Sequence, residues 1–200
     1  MASPLQKTEV NPRVGLLGEL AVEMRLVHHG WHPVRLDTAQ MASNADLLAV
    51  KREQRVSIQV KTTTKQPRSQ WLQFGYATGY LHEKKSIFNA KNSPLIADVV
   101  ISVVSDYPHT SRFVVMPVAF AEALCRLHCD YWTNVKTATG KQRSDSFPIY
   151  LCLEADLTGK TPADVAHHER VKRNLLKFED AWDVLSKPVA KLHAWLLDEL

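Results

Sequence analysis

The stretch Asn44-Ala45-Asp46-Leu47-Leu48-Ala49-Val50-Lys51-Arg52-Glu53-Gln54-Arg55-Val56-Ser57-Ile58-Gln59-Val60-Lys61-Thr62-Thr63 decides how the rest of the chain is read. Two apolar runs, Ala45 to Val50 and Val56 to Thr63, flank the polar turn Lys51 to Arg55, the pattern of a β-hairpin. In the second run Val56, Ile58 and Val60 alternate with Ser57, Gln59 and Lys61, so Gln59 and Lys61 share one face and the apolar residues the other. A turn centred between Glu53 and Gln54 sets Asp46 opposite Lys61, with Cβ atoms ~5 Å apart and Gln59 on the diagonal at ~7–8 Å. Slipping the register by one residue would bury this polar set, so the alternation itself argues for a shared Asp46, Gln59 and Lys61 face.

Upstream, the segment from Pro12 to about His29, closed by Gly30, reads as a helix. Val14, Leu17, Leu20, Ala21, Met24 and Val27 form a stripe, and Leu16, Val22 and Leu26 fall off it, so the helix is apolar over most of its circumference and is expected to be buried. Glu19 projects among these apolar positions as a partly buried carboxylate, a group that needs a partner or a metal.

Downstream, Lys65 to Pro94 shows no clear periodicity but interleaves Trp71, Phe74, Tyr76, Tyr80 and Phe88 with basic residues. Asp98 to Ser105 reads as a central strand and Arg112 to Val118 as another. A helix from Ala119 to Asp130 follows, then a polar ribbon, a strand from Phe147 to Leu153, mostly helix from Thr161 to Leu185, and a terminal helix from Pro188. The fold class is α/β: a central mixed β-sheet of about five strands flanked by helices, with a helical C-terminal region. The 200 residues suit one domain, with a core over residues 12–118 and accessory elements over 119–200.

Charge is distributed unevenly. The chain carries 25 Lys and Arg against 21 Asp and Glu, a net +4, yet nine of the basic residues and only two acidic ones lie between Lys51 and Lys91, leaving the remainder net acidic. Within that stretch Lys65, Arg68, Lys84, Lys85 and Lys91 follow the Lys61 strand directly, where they would contact DNA phosphates. Trp71, Tyr76 or Tyr80 would stack on unpaired bases, or else pack in the core. Three cysteines imply no disulfide framework, and neither a signal sequence nor a transmembrane run is found, which points to a cytoplasmic protein without a membrane partner. No glycine-rich phosphate loop or Gly-x-Ser-x-Gly elbow supports a kinase-type or serine-hydrolase reading. Cys125, His128 and Cys129 fall on one helical face but lack a fourth ligand for zinc. His28, His29 and His32 read as capping groups around the Gly30 turn.

Asp46, Glu19 and Gln59 offer the oxygen ligands that a hard cation takes, and Lys61 a positive charge beside them. On the residues alone an Asp46–Lys61 cross-strand ion pair, worth ~0.2–1 kcal/mol, is a slightly better account. The arrangement also resembles the PD-(D/E)XK nuclease superfamily, in its Holliday-junction-resolvase-like or Mrr-like branch. Gly15-Leu16-Leu17-Gly18-Glu19 is similar to the family's helical Gly-x-x-Gly-Glu element, Asn44-Ala45-Asp46 to its Pro-Asp element, and Gln59-Val60-Lys61 to its Glu-x-Lys element. Ala45 stands in place of the proline and Gln59 in place of a carboxylate. The resemblance, covering roughly Pro12 to Val118, implies a restriction-endonuclease-like core and a Mg²⁺- or Mn²⁺-dependent endodeoxyribonuclease. It implies Asp46, Gln59 and Glu19 as metal ligands, Glu19, Asp46, Gln59 and Lys61 as the catalytic set, Lys61 as the base, and DNA as the partner. Loss of negative charge at Gln59 keeps a second reading open, a catalytically inactive nuclease-fold protein that binds DNA or a protein partner. A homodimer through the C-terminal region is compatible with either.

Overall fold

The computed structural model describes residues 4–36, 45–64, 69–77, 97–106, 109–143 and 147–187. Helix α1 (Pro4–His28) leads into β1 (His32–Arg35), the hairpin β2 (Leu47–Lys51) and β3 (Gln54–Thr64), then β4 (Ser69–Ala77), β5 (Val99–Ser105) and β6 (Arg112–Pro117). Helix α2 (Val118–Asn134), β7 (Phe147–Ala155), α3 (Pro162–Leu176) and a 3₁₀ turn (Trp182–Ser186) complete the order. Five strands form a mixed sheet in the order β1-β2-β3-β5-β6, with β3 and β5 parallel and the other neighbours antiparallel. This matches the expected α/β class, and β5 is its most buried strand, every residue from Val99 to Ser105 lying inside. Among the described residues no helix is long and apolar enough to cross a membrane.

The hairpin is tighter than a turn centred on Glu53 and Gln54. Lys51 pairs with Gln54 and Leu47 with Ile58, so the loop is Arg52-Glu53 alone, with Arg52 at φ 56°. A two-residue hairpin loop requires such a left-handed residue to match the twist of its strands. The register accordingly carries Asp46 to the level of Gln59 rather than Lys61. Since side chains repeat every second residue, a shift of two leaves each on its expected face.

Helix α1 begins eight residues before Pro12, in a polar segment with no apolar signal, and it turns a different side to the sheet than its larger stripe implies. Gly18, Val22 and Leu26 are buried, whereas Leu16, Leu20, Met24 and Val27 are 46%, 42%, 74% and 61% exposed. Both stripes are apolar, so periodicity cannot choose between them. Close approach does: an added Cβ on Gly18 would lie 2.8 Å from Thr62 Cβ, so glycine lets the helix backbone settle directly on β3. Arg25, nearly two turns further on, sits 5.2 Å over the Phe113 ring of β6.

One strand was not legible as such. β4 lies inside the aperiodic stretch and pairs antiparallel with β7, in register from Ser69–Ala155 to Ala77–Phe147 with two irregularities. Leu72 and Phe74 are fully buried while Trp71 and Gln73 face outward. This two-stranded sheet ties residues before 118 to those after it. The region from Thr161 to Leu185 is less helical than expected. Thr161 and Asp164 form a reciprocal capping box at the start of α3, which stops at Leu176, and the chain then turns through Asp180 at φ 50°. Trp182 of the 3₁₀ turn stacks on His29 at 5.1 Å, and Lys51 Nζ donates to the His29 carbonyl at 3.0 Å, so the expected solvent-facing cap at Gly30 is a packed junction. The segment 188–200, read as a terminal helix, lies outside the described residues.

Candidate functional site

Asp46 sits where β1, β2 and β3 meet. Its N–H donates to the Ile58 carbonyl at 2.8 Å, its carbonyl accepts from the Leu36 N–H at 3.0 Å, and its Oδ2 accepts from the Val60 N–H at 2.6 Å. Three backbone bonds therefore fix a carboxylate beside the strand that carries Gln59 and Lys61. Burial raises the Asp46 pKa above the ordinary carboxylate value, opposed by the Val60 N–H and by the Lys61 charge.

Lys61 responds in the complementary sense. Burial lowers its pKa, and the Asp46 carboxylate opposes that shift. A lysine with a lowered pKa is a better proton acceptor near neutral pH than a solvated one. Lys61 pairs in register with Ser102 of β5 and lies close enough to Cys125 of α2 to sense it electrostatically.

Gln59 is only 5% exposed, and its Oε1 has no hydrogen-bond partner. Ser102 Oγ, on the same sheet face, is buried and unpartnered as well. Leaving a buried acceptor unsatisfied costs about 1–3 kcal/mol, so an amide oxygen held this way calls for a ligand.

Glu19 is half-buried on α1. Burial raises its pKa first and the negative charge of Asp46 second, which places the two carboxylates in one electrostatic neighbourhood. Arg35 of β1 partly offsets this. Its Nη1 lies 3.7 Å from Glu19 Oε2, and its Nε bonds Glu23, one helical turn on. Arg35 is the residue that reading the motifs missed. Its signal was Glu19 and Glu23 at i and i+4, a pair of like charges on one helical face that needs a cation.

Asp46 and the Gln59 amide share a face and offer hard oxygens that suit Mg²⁺ or Mn²⁺, whereas Glu19 stands on α1, which rests on the opposite, Thr62 face of β3, and is related to the set through Asp46. The orphaned Gln59 oxygen, and the Asp46 charge that raises the Glu19 pKa, fit such an ion. Among the described residues no three His, Cys, Asp or Glu side chains cluster as a metal site, so a cation here would rely on Gln59 and on water or substrate oxygens for the rest of its shell.

Of the residues expected to touch DNA, Lys65, Arg68, Lys84, Lys85 and Lys91 lie outside the described residues, as do Tyr80, Phe88 and the Tyr76 side chain. Cys125 and Cys129 are buried free thiols, and His128 turns to His167, its Nδ1 lying 3.1 Å from His167 Nε2. No zinc site forms among them.

No protein-family model matches the chain, and no curated protein is similar to it. Among solved structures it is similar to a bacterial homing endonuclease, I-Ssp6803I, at 14% identity and a TM-score of 0.47, over 92% of this chain and 95% of that one.

Proposed function

We propose that this protein is a Mg²⁺- or Mn²⁺-dependent endonuclease that hydrolyses DNA phosphodiester bonds. The observation that carries the reading is the buried, unpartnered Gln59 oxygen, set on one sheet face with Lys61 and beside the backbone-locked carboxylate of Asp46. In this reading Asp46 and Gln59 would hold the cation, with Glu19 adding negative charge from the α1 side through Asp46, and the cation would lower the pKa of a water and neutralise charge on the scissile phosphate. Lys61 accepts the proton of the attacking water or steadies the charge that builds on the phosphate oxygens, a role that its burial and lowered pKa support. Asp46 keeps Lys61 in place by charge. Lys65, Arg68, Lys84, Lys85 and Lys91 would position the duplex through phosphate contacts.

The test is cleavage of DNA by the purified protein in Mg²⁺ or Mn²⁺. Asp46→Ala and Lys61→Ala are expected to abolish it, and equal activity in wild type and variants would reject the assignment. One observation favours the alternative of a binding protein that does not cut: Arg35 already supplies Glu19 with the positive charge that a metal would otherwise bring. Calorimetry separates the two readings. A metal isotherm lost in Asp46→Ala supports the enzyme, and salt-sensitive DNA binding without any metal isotherm supports the binder.

A further inference from the structure

A cavity of about 130 Å³ lies between the β4–β7 sheet and helices α2 and α3, and none of its lining residues belongs to the Asp46 set. Its walls are flat rings. Trp71 stands at the mouth, 42% exposed, edge-on to Tyr150 at 6.1 Å. Tyr131 stacks on His167 at 3.9 Å with the planes 3° apart. His128 stacks with Trp132 at 5.9 Å, and the Arg143 guanidinium lies 4.3 Å over the Trp132 ring.

The polar atoms are as specific as the rings. His128 Nδ1 and His167 Nε2 lie 3.1 Å apart, and burial keeps both rings neutral, His128 with its pKa held at about 3 and His167 at about 4. Two neutral imidazoles sharing one hydrogen bond leave two free nitrogens, His128 Nε2 and His167 Nδ1. In either tautomer one of these carries a hydrogen and the other does not. The pair thus offers one donor and one acceptor. Trp132 Nε1, in the same wall, is a buried donor without a partner.

Charge selects among planar ligands. Arg143 and Lys160 disfavour a cation in an otherwise suitable aromatic cage, while Asp164, paired to Arg143 at 2.7 Å, and Asp156 disfavour an anion, so the charges of the lining balance. What remains is a neutral, flat heterocycle with donors and acceptors on its edge, which describes a nucleobase.

We propose that this cavity receives a single unpaired nucleobase, stacked on Trp71 and met at its edge by the His128–His167 pair and Trp132 Nε1. The proposal rests on the nuclease reading for its source of bases, since Trp71 lies on the strand that follows the Lys61 strand after four residues.

The experiment uses the full chain in EDTA and two DNA duplexes, identical except that one carries a single unpaired 2-aminopurine. Wild-type protein is expected to bind the bulged duplex more tightly than the paired one and to quench the 2-aminopurine. Trp71→Ala is expected to weaken bulged-duplex binding about tenfold, leave paired-duplex binding unchanged and remove the quench, while Trp71→Phe restores most of the preference. Equal affinity of wild type for both duplexes, or a Trp71→Ala variant that keeps the preference, would overturn the proposal. Cleavage of paired DNA in Mn²⁺ with no bulge preference would sink the cavity's role and leave the nuclease reading standing. A Trp71-dependent quench in a protein that cuts no DNA would do the reverse.

Discussion

Gly15 and Gly18 lie one helical turn apart on α1, and the same substitution at each is expected to act in opposite directions. Alanine at Gly15 meets nothing within 4 Å. Its effect should be the intrinsic preference of helices for alanine, a gain of about 0.5–1 kcal/mol. Alanine at Gly18 receives the same gain but places its Cβ 2.7 Å from Thr62 Cγ2 and 2.8 Å from Thr62 Cβ, with Thr62 Oγ1 also in collision. Rotating the threonine relieves the first and last contacts and not the second, because Cβ is fixed by the β3 backbone. The helix must lift by about 0.7–1.2 Å to reach an ordinary carbon–carbon separation. Overpacking of this kind costs about 1–3 kcal/mol, which outweighs the propensity gain. The two variants should thus differ by about 1–3 kcal/mol, or roughly 2–12 °C in Tm for a chain of this length. Thermal and urea unfolding of Gly15→Ala and Gly18→Ala alongside wild type measure the difference. Glu19 is the neighbour of Gly18, so metal affinity should fall in Gly18→Ala and hold in Gly15→Ala. Equal Tm shifts in the two variants would refute the claim that α1 rests on β3 at Gly18.

Three further outcomes follow from the site and the cavity. Mg²⁺ or Mn²⁺ at about a hundred times its Kd should stabilise the protein by about 2.7 kcal/mol, and Asp46→Ala should erase the Tm rise; a rise kept in that variant would place the ion elsewhere. His128 and His167 are neutral in the fold but protonate in the unfolded chain below its ordinary histidine pKa of about 6.5. Stability is therefore complete above that pH and falls below it toward about 4, by about 2 kcal/mol for the pair at pH 5.5 once solvent screening at His167 is allowed for. Urea titrations at pH 7.5 and 5.5 read this, and a His128→Gln, His167→Gln variant with an unchanged pH slope would contradict it. Asp164 accepts from Tyr131 Oη, Arg143 Nη2 and Thr161 Oγ1, each at 2.7 Å. Burial alone would raise its pKa, but these hydrogen bonds and the Arg143 charge outweigh it and hold the carboxyl at about 2. Asp164→Ala leaves Arg143, whose side chain is 9% exposed, without its counter-charge, so a loss of about 3–5 kcal/mol in urea unfolding is expected, and a loss under 1 kcal/mol would contradict it.

What the sequence revealed and what it hid divide along physical lines. The face shared by Asp46, Gln59 and Lys61 was legible because strand alternation and a short turn are local, and even a two-residue error in register preserves it. The side of α1 that faces the sheet was not, since its selection depends on a glycine meeting Thr62, more than forty residues away. β4 was hidden for the same reason. Its partner β7 is about eighty residues distant, and Leu72 and Phe74 alternate with Trp71 too briefly to stand out. Of the paired histidines of the cavity only His128 was visible in the sequence, as a helix-face neighbour of Cys125 and Cys129. Their meeting is a product of α2 packing beside α3.

The Arg52-Glu53 loop makes the hairpin a counter of odd and even. A residue gained there and drawn into either strand, with the two-residue turn kept, would put β2 and β3 out of step, so that Asp46 and Lys61 point to opposite sides of the sheet while the fold retains its strands. Gaining two would slide the strands and leave the polar face whole. Length variation in related chains should therefore be tolerated where the loop itself lengthens and selected against where a single residue enters a strand, which turns the counts from Asp46 to the turn and from the turn to Lys61 into a criterion for recognising distant relatives that share no other residue.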